Sequence, residues 1–111
     1  MKTTILLADD HLLVRQGLVL LVRAQPDWEI VGEVGNGAEA IRLAETLKPA
    51  VVVLDVEMPG VSGIDAARRI RQLSPDTRIV ALSMYGDAHY RKRMFDAGAS
   101  AYVLKNEAID D

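Results

Sequence analysis

The sequence predicts an α/β fold built on a doubly wound, five-stranded parallel sheet. Strand-like and helix-like patterns alternate along the chain, which is typical of repeated βα units. Four short apolar runs have no polar face, as in strands buried on both sides of a parallel sheet. With 111 residues, half of them hydrophobic, the chain has the size of one domain. The four apolar runs are residues 5–8, 51–54, 79–82 and 101–104.

The first helix is predicted over residues 12–24, and Pro26 marks its end. Arg15 and Arg23 are expected to face solvent. The apolar stripe that should pack on the sheet consists of Leu13, Gly17, Leu18 and Leu21.

Residues 28–34 predict a fifth strand at the edge of the sheet. Apolar and small residues alternate there with Glu29 and Glu33, which indicates a strand that is less buried than the other four.

Two further helices have recognisable N-caps. Asn36 precedes Glu39 by three residues, and Ser62 precedes a helix with Asp65 in its first turn. Both helices should therefore cover the sheet with one face. Their predicted apolar stripes are Ala40, Ile41, Ala44 and Leu47 in one helix, and Ile64, Ala67, Ile70 and Leu73 in the other.

A fourth helix is predicted over residues 87–97, ending at Gly98. Its apolar contacts should come from Tyr90, Met94 and Phe95. The basic run 91–93 is interpreted as a solvated helical face in preference to a partner site.

The final helix of the fold is expected to be missing. Only residues 106–111 follow the last apolar run, which is too short for a typical helix. The sheet face beside the first helix should then be left partly uncovered, so self-association, as in a homodimer, is expected.

Composition excludes several classes of protein. The net charge of −3 provides no basic field for nucleic acid, so no nucleic-acid binding is expected from this domain alone. The absence of cysteine excludes disulfides and thiolate metal sites. No signal peptide and no run of about 20 apolar residues is present, so a cytoplasmic protein without membrane contact is expected.

Polar residues follow the apolar runs at the points where the strands should end. Asp9 and Asp10 follow the first run, and Asp55, Ser83 and Lys105 follow the other three. Because ligands of open α/β sheets bind at the carboxyl ends of the strands, these side chains should converge. Three carboxylates, a hydroxyl and an ammonium suit Mg²⁺ and a phosphoryl group, with Asp55 as the nucleophile.

Each of these residues has a simpler interpretation when it is considered alone. An aspartate pair commonly caps a helix, a serine after a strand is commonly a turn residue, and a single lysine is usually on the surface. Glu57, in the loop behind Asp55, reads as a solvent-facing residue. Four strands that end in matched chemistry favour a site over four coincidences.

Together these segments resemble the receiver domain of two-component response regulators. The resemblance covers about residues 3–106 and is nearest to the nitrate-response type, whose receivers precede a LuxR-type helix-turn-helix domain. The motifs that carry it are Leu7-Ala8-Asp9-Asp10-His11, Val53-Leu54-Asp55, Met58-Pro59-Gly60, Ala81-Leu82-Ser83-Met84-Tyr85 and Gly98-Ala99-Ser100-Ala101-Tyr102-Val103-Leu104-Lys105.

The resemblance implies a flavodoxin-like strand order of 2-1-3-4-5 and a role for each site residue. Asp55 would accept a phosphoryl group from a histidine kinase. Asp10, Asp55 and the backbone carbonyl of Glu57 would bind Mg²⁺, and Asp9 would reach the metal mainly through water. Ser83 and Lys105 would contact the phosphoryl oxygens.

The resemblance also implies a non-enzymatic switch that controls transcription. Tyr102 corresponds to an aromatic residue that often changes rotamer on activation, and Tyr90 and Arg91 would lie on the same output face. The chain is then expected to be a fragment, residues 1–111, that lacks the last helix and a C-terminal DNA-binding domain.

Two alternatives remain open. A Mg²⁺-dependent aspartyl-phosphate phosphatase of the haloacid-dehalogenase type needs a second aspartate two residues after the nucleophile, and this position is Glu57. A pseudo-receiver that acts without phosphorylation would usually have lost an acidic residue or the lysine, and this chain retains them.

Overall fold

The structure, a computed structural model, describes residues 2–84, 86 and 88–105. Five strands and four helices alternate, as the sequence predicts, and the strands form one parallel sheet in the order β2-β1-β3-β4-β5. The elements are β1 (Thr3–Ala8), α1 (Leu12–Arg23), β2 (Trp28–Val34), α2 (Gly37–Leu47), β3 (Val51–Asp55), α3 (Gly63–Leu73), β4 (Arg78–Ser83), α4 (Ala88–Asp96) and β5 (Ala101–Leu104).

Alternate residues of the strands enter two separate apolar clusters, one on each face of the sheet. Ile5 and Leu7 of β1 pack with α1, whereas Leu6 and Ala8 pack on the opposite face. Because α2, α3 and α4 all contribute to that second cluster, it is the larger of the two. The fold is therefore doubly wound, as predicted.

Both ends of the sheet differ in burial from its centre. The prediction that β2 lies at an edge is confirmed. The prediction that β5 is buried on both faces is wrong, because all four of its residues are half-buried. The reason is its position at the opposite edge of the sheet, where β4 is its neighbouring strand on one side and no strand of the described residues pairs with it on the other.

The predicted face of α1 is rotated from the one that packs on the sheet. Leu13 is 83% exposed and Leu21 is also exposed, whereas Leu18, Val19 and Val22 are buried. Since leucine and valine occupy most positions of this helix, the sequence allows several apolar stripes, and contact with the sheet selects one. In α2 and α4, Leu47 and Phe95 are likewise exposed rather than inward-facing.

The prediction that Arg15 faces solvent is wrong. Its Nη1 donates a hydrogen bond to the Asp9 carbonyl oxygen at 2.9 Å, and its Nε lies 3.6 Å from a Glu33 carboxylate oxygen. Arg15 therefore ties the first helix to the ends of β1 and β2. Arg23 is exposed, as expected.

The face of the sheet beside α1 contains an open apolar groove of about 360 Å³. Its walls include Leu18 and Trp28 together with inward residues of β1, β3, β4 and β5. The groove lies on the sheet face that the sequence predicts to be partly uncovered.

Among the described residues, no helix is both long and apolar enough to cross a bilayer.

The two predicted N-caps are present. The Asn36 side chain accepts a hydrogen bond from the Glu39 amide at 2.9 Å, and Ser62 accepts one from the Asp65 amide at 3.2 Å. Asp87, the predicted first residue of the fourth helix, lies outside the described residues.

A close approach of α3 to β3 requires glycine at position 63. A Cβ atom there would lie 2.1 Å from the Asp55 carbonyl oxygen and 2.6 Å from the Val56 Cα, far inside van der Waals contact. The Gly63 amide donates to the Val56 carbonyl at 2.9 Å. Gly63 thus holds the start of α3 directly behind Asp55.

The Asn36 cap gives a test of how α2 begins. Asn36→Ala removes the acceptor for the Glu39 amide and should lower the free energy of unfolding by about 1 kcal/mol. Asn36→Asp keeps a cap acceptor and should stay within about 0.5 kcal/mol of the parent. Urea denaturation of the three proteins measures the difference, and equal stability of the Ala and Asp variants would contradict the assigned cap.

Candidate functional site

The carboxyl ends of β1, β3 and β5 place three charged side chains in one buried contact. Lys105 Nζ donates to Asp55 Oδ2 at 2.9 Å and to Asp9 Oδ1 at 3.2 Å. All three side chains are at most 2% exposed. The predicted convergence of these residues at one edge of the sheet is therefore observed.

The backbone after β3 fixes the second oxygen of Asp55. The amide of Glu57 donates to Asp55 Oδ1 at 3.1 Å, and the amide of Val56 donates to the Leu82 carbonyl at 2.9 Å. Both carboxylate oxygens of Asp55 therefore have a donor. The Glu57 side chain itself is exposed, in line with its simpler interpretation.

Burial raises the pKa of Asp55 from 3.8 to about 6. The hydrogen bond from Lys105 opposes this rise, the neighbouring charge of Asp9 adds to it, and the Glu57 amide again lowers it. Loss of hydration thus outweighs the attractive contacts. Asp55 is ionised at neutral pH, although its charge is costly to the fold.

Asp9 lies at the centre of the site with one oxygen unpaired. Its Oδ1 accepts from the His11 amide at 2.7 Å and from Lys105, whereas no hydrogen-bond partner for its buried Oδ2 is found in the described part of the chain. A buried carboxylate oxygen without a partner is unfavourable. The contact with the His11 amide is a local turn, and the helix begins after His11 without a side-chain cap, so neither aspartate caps α1.

The donor set fits a divalent cation. Asp9, Asp10, His11 and Asp55 each offer one ligand atom, and these four atoms lie within 4.8 Å of one another. Asp10 lies at the rim, with its side chain 34% exposed. Three clustered carboxylates, one with an unpaired oxygen, are the ligand type that Mg²⁺ prefers.

Ser83 ends β4 at the same edge of the sheet. It is buried and pairs in register with Leu104, the residue before Lys105. Asp55 pairs with Leu82 on the other side of β4. The strand register therefore places Ser83 between the nucleophile candidate and the lysine.

The proposed output residues are separate from the carboxylate cluster. Tyr90 and Tyr102 are half-buried and pack against the larger apolar cluster. Arg91 is exposed, and its guanidinium lies 5.7 Å from the centre of the Phe95 ring. The structure thus brings the two tyrosines into one packing layer and leaves Arg91 on the surface.

Sequence reasoning missed a role for His11 and Arg15. His11 Nδ1 lies 2.5 Å from Lys105 Nζ and 3.2 Å from Asp9 Oδ1, so the imidazole is part of the site. The sequence feature that could have indicated this role is the position of His11 directly after the aspartate pair. For Arg15 no signal was available, because its contact with the Asp9 carbonyl depends on the angle of α1.

The site geometry agrees with the comparison of this chain to known proteins. The sequence profile of the response regulator receiver domain matches residues 5–111. The chain belongs to the response regulator receiver domain family. The predicted resemblance and the flavodoxin-like strand order are both confirmed.

Similar proteins point to regulators of transcription. The chain is 41% identical to the transcriptional regulatory protein LiaR and 39% identical to the transcriptional regulatory protein YdfI, both from Bacillus subtilis, over 91% and 96% of its length. It covers 48% and 49% of those proteins, so it spans about half the length of these relatives.

A solved structure gives the same result for the fold. A LuxR-family two-component response regulator from Aurantimonas is 38% identical to this chain, with a TM-score of 0.88. The match covers 95% of this chain and 75% of that one. Its LuxR class agrees with the output type implied by the sequence.

The raised pKa of Asp55 predicts how pH affects stability. The folded receiver holds a proton on Asp55 up to about pH 6, whereas the unfolded chain releases it near 3.8. Stability should therefore fall as pH rises through this window and stay low above it. Asp55→Asn removes this loss and should raise the free energy of unfolding above pH 6 by roughly 1 to 3 kcal/mol.

Urea denaturation with a chelator present, at several pH values between 4 and 8, measures this effect. The difference between Asp55→Asn and the parent should shrink towards the acid end of the range. Asp76→Asn, at an exposed site, is the matched control. A constant difference at all pH values would show that burial of the Asp55 charge is not its cause.

Proposed function

We propose that this receiver domain accepts a phosphoryl group on Asp55 from a histidine kinase and thereby switches an output. The observation that carries this proposal is the buried contact of Lys105 with Asp55 and Asp9 at the carboxyl edge of the sheet. One ammonium between two buried carboxylates leaves an excess of negative charge, which suits a bound cation.

Asp55 has the properties of a nucleophile. Its carboxylate is ionised at neutral pH and is held from both sides by Lys105 and the Glu57 amide. One carboxylate oxygen attacks phosphorus, the bond from phosphorus to the donor nitrogen breaks, and the kinase histidine leaves as imidazole. Lys105 and the Ser83 hydroxyl then hold oxygens of the transferred group.

Mg²⁺ is the proposed cofactor. Asp10, Asp55 and the Glu57 carbonyl would bind it directly, with Asp9 contributing mainly through water. Support comes from the clustered carboxylates and the unpaired Asp9 oxygen. When bound, the cation offsets negative charge on the transferring phosphoryl group.

The output would follow from a change in the contacts of Lys105 and Ser83. Both residues end strands next to the layer that contains Tyr102 and Tyr90, so a shift at the site can be passed on by packing. We propose that Tyr90, Arg91 and Tyr102 form the output face. Self-association and a helix-turn-helix domain outside this chain would turn the switch into control of transcription in the cytoplasm.

The structure offers less support for a phosphatase. That chemistry needs a second acid two residues after the nucleophile, and the Glu57 side chain is exposed while its backbone amide contacts Asp55. A pseudo-receiver is also less well supported, because Asp9, Asp55 and Lys105 are all in contact.

Phosphorylation at Asp55 has a direct test. Acetyl phosphate with Mg²⁺ should add the mass of one phosphoryl group to the parent, because Asp55 is the buried carboxylate held by both Lys105 and the Glu57 amide. Asp55→Asn should gain none, and Asp76→Asn should behave as the parent does. Intact-mass spectrometry measures the adduct, and its persistence in Asp55→Asn would refute the assignment.

The output face is tested by separating uptake from association. Arg91→Ala and Tyr90→Phe should change phosphorylation-dependent self-association and leave phosphoryl uptake intact, because neither side chain belongs to the carboxylate cluster. Light scattering with and without acetyl phosphate measures association. Arg69→Ala, an exposed arginine on α3, is the control, and equal losses of uptake and association would indicate general unfolding instead.

A further inference from the structure

The imidazole of His11 lies among the carboxylates of the site, and phosphoryl transfer does not require it. Its Nδ1 lies 3.2 Å from Asp9 Oδ1, 3.5 Å from Asp10 Oδ1 and 3.8 Å from Asp55 Oδ2. The side chain is 50% exposed, so the ring reaches the pocket from the solvent side. The nitrogen therefore faces three carboxylates at once.

These separations are close to those of ligands around one metal ion. Nitrogen and oxygen ligands bind Zn²⁺ at about 2.0–2.2 Å in a tetrahedron, so neighbouring ligand atoms are about 3.3–3.5 Å apart. The three observed distances differ from this value by a few tenths of an ångström. A single dication can therefore contact the imidazole and the carboxylates after a small adjustment.

The lone pair of Nδ1 is directed into the pocket. Lys105 Nζ lies 2.5 Å from Nδ1, and an ammonium can only donate, so Nδ1 is the acceptor. Ligation of a metal would cost this hydrogen bond. The metal would share Asp9 and Asp55 with Lys105, and the three carboxylates of the site balance the charge of one ammonium and one dication.

A second observation also indicates a ligand here. The Oδ2 atom of Asp9 is buried and has no hydrogen-bond partner in the described part of the chain, and the Asp9 side chain is 1% exposed. This oxygen belongs to the carboxylate whose other oxygen lies 3.2 Å from His11 Nδ1, so Asp9 has an acceptor left for a cation. Imidazole nitrogen suits Zn²⁺ and its neighbours in the first transition row, whereas Mg²⁺ prefers oxygen ligands alone.

We propose that His11 Nδ1 joins Asp9, Asp10 and Asp55 as the nitrogen ligand of a Zn²⁺-type dication. The site deepens the proposed function because it uses the same carboxylates. A dication of this class binds more tightly than Mg²⁺ and competes with it. The imidazole of His11 is the ligand that causes this difference in affinity.

The test uses Co²⁺ as a spectroscopic probe for this class of metal. Co²⁺ and Mg²⁺ are titrated by calorimetry into the parent, His11→Gln and His89→Gln, above the ordinary histidine pKa of about 6.5. His89 is the other histidine of the chain and is exposed on α4, so it is the matched control. His11→Gln should weaken Co²⁺ binding tenfold or more and change Mg²⁺ binding less than twofold.

Ring signals give a readout that does not depend on affinity. Zn²⁺, a diamagnetic d¹⁰ ion, should shift the Nδ1 signal of His11 more than its Nε2 signal and leave the ring signals of His89 in place. His11→Asn, which also lacks the imidazole and suits an N-cap position, repeats the affinity test if His11→Gln fails to fold. Equal Co²⁺ affinity in parent and folded His11 variants, or unshifted His11 signals, would overturn the proposal.

The outcome is independent of phosphoryl transfer. If acetyl phosphate with Mg²⁺ labels Asp55 and Co²⁺ binding does not depend on His11, only this inference fails. If Co²⁺ binding depends on His11 and Asp55 gains no phosphoryl group, only the proposed function fails.

Discussion

The buried contact of Lys105 with Asp9 and Asp55 is the constraint on which the rest of this receiver domain depends. It joins the ends of β1, β3 and β5. Along the chain, Lys105 is 96 residues from Asp9 and 50 residues from Asp55. Removing Lys105 would leave two buried carboxylates without their counter-charge, and breaking a buried ion pair in this way typically costs about 3–5 kcal/mol. The strand order and the register must therefore hold these three ends together.

The same contact leaves the site negatively charged. One ammonium faces two buried carboxylates, with Asp10 at the rim as a third. Burial keeps the pKa of Asp55 high in spite of Lys105, and an oxygen of Asp9 stays without a partner among the described residues. Natural folds retain such local conflicts mainly where function needs them. A divalent cation is the ligand whose charge suits this arrangement.

The two faces of the sheet serve different purposes. Three helices cover the face with the larger apolar cluster, which fixes the positions of β3, β4 and the tyrosines beside the site. The other face has α1 and an open apolar groove. Apolar area exposed to water is unfavourable, so a groove of this kind favours contact with further apolar residues. The site therefore lies beside the well-packed layer.

The sequence by itself determined the class of fold, the element order and most of the site. Apolar runs without a polar face required a parallel sheet, and their polar ends placed Asp9, Asp55, Ser83 and Lys105 at one edge. Local signals of this kind are read directly from spacing, as were the caps at Asn36 and Ser62.

Only the tertiary structure decided which side chains turn inward. Several faces of the leucine-rich α1 are apolar, and the face with Leu18 is the one that packs on the sheet. As a result, Leu13 is exposed to solvent and Arg15 points towards the Asp9 carbonyl. The role of His11 depends on the same docking angle. Spacing along a chain fixes the period of a helix, whereas its rotation about its own axis is set by contacts between residues that are distant in sequence.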